Sequence, residues 1–435
     1  MTELQLAKGV QDIPPEEKIL MNEVVQTIAE TFELYGFAPL ETPLLERYET
    51  LASKFAAGEA SDALKETFKL KDQGGRDLGL RFDLTVPLAR FIAMNPTLKM
   101  PFKRYEMGPV FRDGPIKAGR VRQFWQCDAD VVGSSSLVAE AELLSIFATV
   151  FEKLNLPIII KTNNRKILNG ILEQAGITEK EKKEKAIIVI DKLDKIGKEG
   201  VSKELSERGC EQKQISKLFS LVKEGITLEE LKQKLTAESG KQGITELEEV
   251  FSYLKILSVK NVKFDISLAR GLAYYTGAVF EVFLQKGMQK GSGSITSSLG
   301  SGGRWDNMIG QFMGGNREVP AVGISFGLVP IGEALKEKRK MEKKTLTKIL
   351  IIPINTLKES LLAAQELRNK KIPTEVAVLK GVSKNLDYAN ALGIPFAVIL
   401  GEDELKRKKV LLKDMKEGTE QLLALNGVVK KLGKK

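Results

Sequence analysis

The chain has 435 residues, enough for two or three domains, and its 43% hydrophobic and 29% charged residues are typical of a globular protein with a substantial core. Its formal charge of +10 suits a polyanionic partner such as nucleic acid, although a lysine-rich solvated surface explains the charge equally well. The chain contains no histidine, which excludes Ser-His-Asp and Cys-His triads, histidine-ligated metals and imidazole as a general acid or base.

The N-terminal third is predicted to contain a helix, then extended segments, then strands. Apolar residues at helical spacing predict a helix over residues 16–35, which Gly36 is well placed to end. Residues 37–46 are predicted to be extended, with prolines that indicate a sheet edge or an interface. Long alternating runs predict strands from 78 to 132, and the pattern over 137–154 is again that of an amphipathic helix.

The rest of the chain divides into an insertion, a return to strands and a separate C-terminal domain. Residues 165–258 are rich in lysine and glutamate and are predicted to form an inserted helical domain, after which strands resume at 262–284. The Gly/Ser-rich stretch 286–305 lacks the strand-then-helix order of a phosphate loop, so we interpret it as a flexible connector. The charged segment 334–345 is predicted to be a linker, and residues 346–435 a small α/β domain.

The cysteines and the hydropathy of the chain argue against a metal-stabilised, a disulfide-rich or a membrane-spanning protein. Cys127 and Cys210 are far apart and form no CxxC pair, so neither a structural zinc site nor a disulfide framework is expected. We find no apolar run long enough to cross a bilayer and no charged-then-apolar leader at Met1. The sequence therefore predicts a cytoplasmic protein without a membrane partner.

Two strand-like segments carry polar residues that could form a binding site. In LGLRFDLTVP, alternation would place Arg81, Asp83 and Thr85 on one face, where a carboxylate beside a hydroxyl could bind an ammonium group. An ordinary half-exposed strand has the same pattern. In RVRQFWQCDADVV, Gln126 and Asp130 share a face and their α-carbons lie about 13 Å apart, so they could contact opposite ends of one small polar ligand. Carboxylates on a packed sheet are costly unless they are paired, which favours a site here.

Two arginines adjoin glycine-containing segments. Arg112 ends a predicted strand before a Gly/Pro loop, where it could make a bidentate contact to phosphate or carboxylate; a hairpin with a surface arginine fits the same residues. In LARGLAYYTG, Arg270 precedes a glycine, and Tyr274 and Tyr275 follow. A cation beside phenolic hydroxyls suits an anionic phosphate next to a polar ring, although paired tyrosines more often pack in a core.

These segments, in this order, resemble the histidyl-tRNA synthetases, a family of class II aminoacyl-tRNA synthetases, over nearly the whole chain. FELYGFAPLETPLLE is similar to the dimer-forming motif 1, KRYEMGPVFRDGPIKAGRVRQFWQCDADVVG to motif 2, and PAVGISFGL to motif 3. RFDLTVP and LARGLAYYTG resemble the family's histidine-specific signatures. The resemblance implies an α+β catalytic domain with the class II antiparallel sheet flanked by helices over 1–164 and 259–333, the helical insertion over 165–258, and an anticodon-binding domain over 346–435.

The resemblance also implies the activity and its histidine-binding residues. The activity would be that of a homodimeric ligase, which activates L-histidine with ATP and substrate-bound Mg²⁺ and transfers it to the 3′ end of tRNA(His). The residues that would bind histidine are Asp83, Leu84, Thr85, Gln126, Asp130, Tyr274 and Tyr275. Asp83, Thr85 and Gln126 would hold the ammonium group, whereas Asp130 and Tyr275 would bind the two nitrogens of the imidazole.

The implied ATP-binding residues are three arginines, and motif 3 departs from the family pattern. Arg112 would bind the α-phosphate, Arg270 would stabilise charge there during attack, and Arg120 would approach ATP and the tRNA acceptor end. Arg112 and Arg270 are therefore the catalytic candidates. Val329-Pro330 stands where the family usually places a motif 3 arginine against ATP. Ala273 replaces a common acidic residue, and Trp305 a common tyrosine. A non-catalytic relative, the synthetase-like regulatory subunit of ATP phosphoribosyltransferase, is the main alternative.

Overall fold

A computed structural model of the chain describes residues 3–53, 65–116, 121–223, 225–269, 274–285, 297–315, 317–338 and 344–432. The chain divides into two compact units, the first formed by residues 1–11 and 24–335 and the second by residues 12–23 and 336–435. None of the described helices is both long and apolar enough to cross a membrane.

The first unit contains an eight-stranded sheet and a separate three-stranded sheet. Its strands are β1 Ala38–Pro39, β2 Leu45–Arg47, β3 Lys69–Lys71, β4 Asp77–Leu80, β5 Phe102–Phe111, β6 Gln123–Val132, β7 Ile158–Asn164, β8 Val262–Phe264, β9 Ala278–Leu284, β10 Gly300–Arg304 and β11 Ala321–Gly327. The order of the large sheet is β1-β5-β6-β11-β10-β9-β7-β8, and that of the small sheet is β2-β4-β3. In the large sheet only the pairs at its two edges, β1 with β5 and β7 with β8, are parallel. The predicted antiparallel sheet is confirmed.

Helices pack around this sheet and fill the insertion. The helices that lie wholly or largely in the first unit are α1 Pro15–Leu34, α2 Tyr48–Ser53, α3 Thr85–Met94, α4 Val138–Lys153, α5 Arg165–Ala175, α6 Lys180–Ile190, α7 Leu193–Glu207, α8 Gln212–Leu221, α9 Leu228–Lys234, α10 Glu238–Ile256, α11 Met308–Phe312 and α12 Leu328–Lys338. The prediction of a helix over 16–35 is confirmed by α1, which ends before Gly36 because that glycine has a φ of 76°.

The core lies between the large sheet and helices on one of its faces. The Phe326 ring of β11 packs against Phe147 and Phe151 of α4, with ring centroids 4.8 and 5.7 Å apart, and against Phe32 of α1 at 5.9 Å. Each fully buried aromatic side chain contributes about 1.5–3 kcal/mol of burial free energy. Because side chains alternate along a strand, the residues that flank Phe326 project from the opposite face of the sheet.

The register of three neighbouring strands brings polar side chains together on that opposite face. Arg104 of β5 pairs with Asp130 of β6, and two residues further along, Glu106 pairs with Asp128. On the other side of β6, Asp128 pairs with Ser325 of β11. The centre of the sheet therefore carries alternating charged and polar residues on one face and apolar residues on the other.

The second unit contains a five-stranded sheet with helices. Its strands are β12 Ile349–Pro353, β13 Thr374–Val376, β14 Phe396–Leu400, β15 Val410–Asp414 and β16 Glu420–Leu423, and its helices are α13 Leu357–Asn369, α14 Val382–Leu392, α15 Glu402–Lys406 and α16 Leu425–Leu432. The sheet order is β13-β12-β14-β15-β16, with the first two pairings parallel and the last two antiparallel. The predicted α/β alternation is confirmed, but β16 and the short α15 were not predicted.

The continuous strand pattern predicted from 78 to 132 is wrong around Asp83. Strand β4 ends at Leu80, and α3 begins at Thr85. The Asp83 Oδ1 atom accepts hydrogen bonds from the backbone N–H groups of Thr85 and Val86, at 3.2 and 3.0 Å, and these are donors that the first turn of a helix leaves unpaired. Asp83 and Thr85 are therefore neighbours across a helix start and do not alternate along a strand.

Two other predicted segments, the linker and the Gly/Ser-rich connector, overlap a helix or a strand of the structure. Helix α12 runs from Leu328 to Lys338 and so extends into the predicted linker 334–345. Of the predicted connector 286–305, residues 286–296 lie outside the described residues, and β10 occupies Gly300–Arg304 near its end.

Candidate active site

A buried arginine, Arg104, lies at the centre of the polar face. It is completely buried, and its Nη2 atom lies 2.7 Å from Asp130 Oδ2 while donating to the Leu84 carbonyl at 3.0 Å. Its Nη1 atom lies 3.6 Å from Glu106 Oε2. Arg104 thus joins β5, β6 and the start of α3, and it holds the backbone at Leu84 beside the Asp130 carboxylate.

A second buried arginine, Arg81, holds Glu106. Its Nη1 atom donates to Glu106 Oε1 at 2.7 Å and to the Thr42 carbonyl at 2.8 Å. Its Nε donates to the Pro109 carbonyl at 2.9 Å. A Cβ atom added at Gly108 would overlap the Arg81 guanidinium, so the glycine provides the space for this contact. Arg81 and Arg104 together leave the carboxyl groups of β5 and β6 fixed in position.

The carboxyl groups of this face outnumber its arginines. Burial raises the pKa of Asp130 to about 6, opposed by Arg104 and reinforced by the charges of Glu106 and Asp83. Burial likewise raises the pKa of Asp128 to about 8, again opposed by Arg104 and reinforced by Asp130. Buried carboxyl groups with shifted pKa values and an excess of negative charge are typical of a site that binds a cation.

The raised pKa of Asp128 predicts how stability changes with pH. The pKa of Asp128 is about 8 in the folded protein, whereas its ordinary value is 3.8. Between these pH values the folded protein therefore binds more protons than the unfolded protein does. This contribution to the free energy of unfolding therefore falls as pH rises through that range. We expect the melting temperature of the wild type to fall more between pH 5.5 and 8.5 than that of Asp128→Asn. Asp72→Asn is the control, since Arg76 lowers the pKa of that carboxyl and it stays ionised throughout. Parallel pH profiles for wild type and Asp128→Asn would contradict the assignment.

Gln126 lies next to these carboxyl groups with one end of its amide held. Its Nε2 donates to Ser325 Oγ at 2.8 Å, and Ser325 also hydrogen-bonds the Asp128 carboxyl. The Gln126 Oε1 atom is buried and has no hydrogen-bond partner among the residues that the structure describes. A buried acceptor without a donor costs free energy unless a ligand supplies one.

Tyr274 and Tyr275 lie against the same part of the sheet as Asp130. Their ring centroids are 4.5 Å apart, and the Tyr274 hydroxyl donates to the Tyr275 hydroxyl at 3.4 Å. Tyr275 is buried in one hydrophobic cluster with Trp305, whose side chain hydrogen-bonds Asp130. The tyrosines thus pack in a core and still lie beside the site, so the two interpretations of the sequence are compatible. The role of Trp305 was not predicted.

Arg112 directly follows β5, as predicted. Its guanidinium lies over the Phe82 and Phe124 rings, 4.3 and 4.9 Å from their centroids, and its Nε donates to the Phe82 carbonyl at 3.3 Å. Stacking of a guanidinium plane on aromatic rings restricts its rotamers and so fixes the direction of its N–H groups.

Arg120 and Arg270, the other two predicted ATP-binding arginines, lie outside the described residues. The segment that leads to Arg270 is held by β7. Asn163 Nδ2 donates to the carbonyls of Leu268 at 2.9 Å and Ile266 at 3.3 Å. Within the described ranges, no group of three or more cysteine, aspartate or glutamate side chains is arranged to hold a metal ion.

The sequence assigned no supporting role to most of the residues that hold the site together, although it placed Arg81 on the polar face with Asp83. They are Arg81, Arg104, Glu106, Asn163, Trp305 and Ser325. The alternation of Arg104 and Glu106 in KRYEMGP was an available signal, because two opposite charges at strand spacing project from the same face of a sheet.

Comparisons with known proteins agree along the whole chain. A family model described as histidyl-tRNA synthetase matches residues 9–331, and a model described as anticodon binding domain matches residues 348–435. Histidine–tRNA ligase 1 of Bacillus cereus is 44% identical over 98% of this chain and 96% of its own length. The corresponding ligase of Clostridium tetani is 38% identical over 97% of this chain and 96% of its own.

Solved structures give the same result. The crystal structure of histidyl-tRNA synthetase from Nostoc sp. PCC 7120 is similar with a TM-score of 0.85 and 31% identity, and the match covers 99% of this chain and 100% of that one. A Bacillus halodurans protein described as an ATP phosphoribosyltransferase regulatory subunit/histidyl-tRNA synthetase shares the fold, with a TM-score of 0.74 at 21% identity over 91% of this chain and 97% of that one. The family model and the full-length relatives together show that this chain belongs to the histidyl-tRNA synthetase family.

Proposed function

We propose that this protein activates L-histidine with MgATP and transfers the histidyl group to the 3′ end of tRNA(His). The observation that carries the proposal is the buried polar face of β5, β6 and β11, within a chain that matches histidine–tRNA ligases over nearly its full length. An excess of carboxyl groups there suits a ligand with an ammonium group and a basic ring. The residues that would hold this ligand are Asp83, Leu84, Thr85, Gln126, Asp130, Tyr274 and Tyr275.

In the first step a carboxylate oxygen of histidine attacks the α-phosphorus of ATP, a C–O–P linkage forms, and pyrophosphate leaves. Arg112 and Arg270 would neutralise charge on the phosphate, and Arg120 would hold ATP, so the protein contributes alignment and cations. In the second step the terminal ribose hydroxyl of tRNA attacks the carbonyl carbon and AMP leaves. Since the chain has no imidazole of its own, we propose that a phosphate oxygen or the substrate's own ring takes that hydroxyl proton.

Each domain of the chain would have a separate role in aminoacylation. The catalytic domain is proposed to comprise 1–164 and 259–333, the insertion 165–258 to embrace tRNA, and residues 346–435 to bind the anticodon. The extended segment 37–46, which resembles motif 1, would contribute to a homodimer. A cytoplasmic location follows from these substrates.

Arg112→Lys should lower kcat/KM for activation by about 10²-fold. Lysine keeps the charge but lacks the planar fork and cannot stack between two rings as the guanidinium does. The measurement is histidine-dependent ATP–pyrophosphate exchange. Arg90→Lys, which alters an arginine paired with Glu46 at 2.7 Å, is the matched control and should stay within about threefold of wild type. Equal activity of the two variants would remove Arg112 from the proposed mechanism.

The proposed function is tested by pyrophosphate exchange with a panel of amino acids. Exchange with histidine and with no other amino acid is expected, since a site built to hydrogen-bond both imidazole nitrogens rejects analogues by roughly 10⁴-fold or more. Absence of exchange with every amino acid would overturn the proposal and favour a regulatory role of the kind named in the Bacillus halodurans protein's description.

A further inference from the structure

Asp128 and Ser325 form a chain of hydrogen bonds with Gln126 across strands β6 and β11. Asp128 and Ser325 are direct register partners, and both side chains project from the polar face. Ser325 Oγ accepts from Gln126 Nε2 at 2.8 Å and hydrogen-bonds the carboxyl of Asp128. The family resemblance assigned a role to Gln126 but none to its two neighbours.

The direction of these hydrogen bonds determines which end of the Gln126 amide is held. When the Asp128 carboxyl is ionised it can only accept, so Ser325 then donates its single hydroxyl proton to Asp128. The serine oxygen is then left as an acceptor, and only the NH₂ end of the Gln126 amide can pair with it. The Oε1 end is thereby directed away from Ser325, where it is buried without a partner among the described residues.

We propose that Asp128 and Ser325 are positioning residues, which set the orientation of the Gln126 amide so that its oxygen accepts a hydrogen bond from the ammonium group of the amino acid. The proposal rests on the proposed function, because it assumes that an amino acid binds at Gln126. Reversing the amide would present two N–H donors to a cation, which is unfavourable. Neither Asp128 nor Ser325 needs to touch the substrate for this effect.

The surroundings of Asp128 make the arrangement sensitive to pH. Arg104 of β5 favours the ionised carboxyl, whereas Glu106 of the same strand, Asp130 of β6 and Asp83 before α3 are acidic groups that face the same site. Once Asp128 is protonated it can donate to Ser325, whose proton is then free to turn towards Gln126 Oε1. A bound ammonium group opposes this change, because a nearby cation favours the ionised carboxyl.

The test is a double-mutant cycle measured by histidine-dependent pyrophosphate exchange. At pH 8.5, above the pKa of about 8 of Asp128, Ser325→Ala and Asp128→Asn should each raise the KM for histidine by about tenfold, the range expected when a hydrogen bond to a charged group is lost. The KM for ATP should stay within about twofold of wild type. The double variant should be no more than about twofold worse than Ser325→Ala, since Asp128 acts on Gln126 only through the serine. Ser145→Ala is the matched control: this buried serine of α4 loses a hydrogen bond to Tyr35 at 2.8 Å, and its KM for histidine should not change.

The pH profile supplies a readout that a purely structural role would not produce. The ratio of the KM for histidine in Asp128→Asn to that in wild type should be small near pH 6.5 and rise towards pH 8.5, as Asp128 ionises in the wild type. Additive effects in the cycle, or a ratio that stays constant with pH, would overturn the proposal. Failure of the wild type itself to exchange pyrophosphate with histidine would instead overturn the proposed function.

Discussion

Asp130→Asn is expected to lower kcat/KM for histidine in pyrophosphate exchange by about 10³-fold, or about 4 kcal/mol. The Asp130 carboxylate lies 2.7 Å from Arg104 Nη2 and hydrogen-bonds Trp305, so its orientation is fixed before any ligand binds. An asparagine must direct its oxygen towards Arg104, which leaves its NH₂ group facing the ring nitrogen that needs an acceptor. The substitution also removes the charge that attracts a protonated imidazole, and a site with a mismatched buried polar group loses most of its discrimination.

The kinetic effect of Asp130→Asn should be confined to the use of histidine and should not extend to ATP. The KM for ATP is expected to stay within about threefold of wild type, and the kcat/KM of the wild type for histidine should fall as pH drops below about 6, where Asp130 takes up a proton. Glu142→Gln is the matched carboxylate-to-amide exchange, at a group on α4 that pairs with Lys103 at 3.0 Å, and it should change kcat/KM by less than twofold. An Asp130→Asn enzyme within about fivefold of wild type would exclude Asp130 as the ring acceptor.

Arg104→Met should lower the free energy of unfolding of the first unit by about 3–5 kcal/mol, the range observed when one partner of a buried ion pair is removed. The variant keeps the volume of the side chain but leaves the Asp130 carboxylate buried without its ion-pair partner and removes the cation that favours ionised Asp128, whereas Glu106 keeps its contact with Arg81. Denaturant unfolding followed by tryptophan fluorescence can measure this, because the two tryptophans of the chain, Trp125 and Trp305, both lie in the first unit.

Two further variants show whether Arg104→Met loses stability because buried carboxylates lose their cation or because the substitution disturbs packing. Arg76→Met removes an exposed arginine, 76% accessible, that pairs with Asp72 at 2.6 Å, and it should lower stability far less than Arg104→Met does. Adding Asp130→Asn to Arg104→Met should restore part of the lost stability, since it removes one uncompensated charge. A loss below about 1 kcal/mol in Arg104→Met, or no recovery in the double variant, would show that the acidic cluster is stabilised by other means.

The sequence predicted the arrangement on β6 because strand periodicity is simple. Gln126 and Asp130 lie on one face with Asp128 between them, as a period of two requires, and Cys127 is buried on the other. The same reasoning was wrong at Asp83, because alternation alone does not distinguish a strand from a loop whose aspartate caps a helix. The two hydrogen bonds from Asp83 to the start of α3 are local, so a search for capping residues would have found them.

The contacts made by the supporting residues could not be predicted from the sequence, for a different reason. Arg104 acts through Leu84 and Asp130, which lie 20 and 26 positions away, and Ser325 contacts Gln126 across a separation of 199 residues. Such contacts depend on which strands become neighbours in the sheet, and neither charge nor periodicity states this order. The resemblance named candidate ligand-binding residues, whereas the residues that support them became visible only through strand register.

Gly323 of β11 lacks a side chain, and this leaves space for the side chain of Asp130 on β6, which is far away in the sequence. A Cβ atom at this position would overlap the Asp130 carboxylate, which its register on β6 places directly opposite. A longer acidic side chain at 130 or any larger residue at 323 can therefore be accommodated only together with a shift of β6 against β11. The Asp130 side chain and the β11 backbone at Gly323 therefore restrict each other, so that a larger residue at either position is tolerated only with a compensating change at the other.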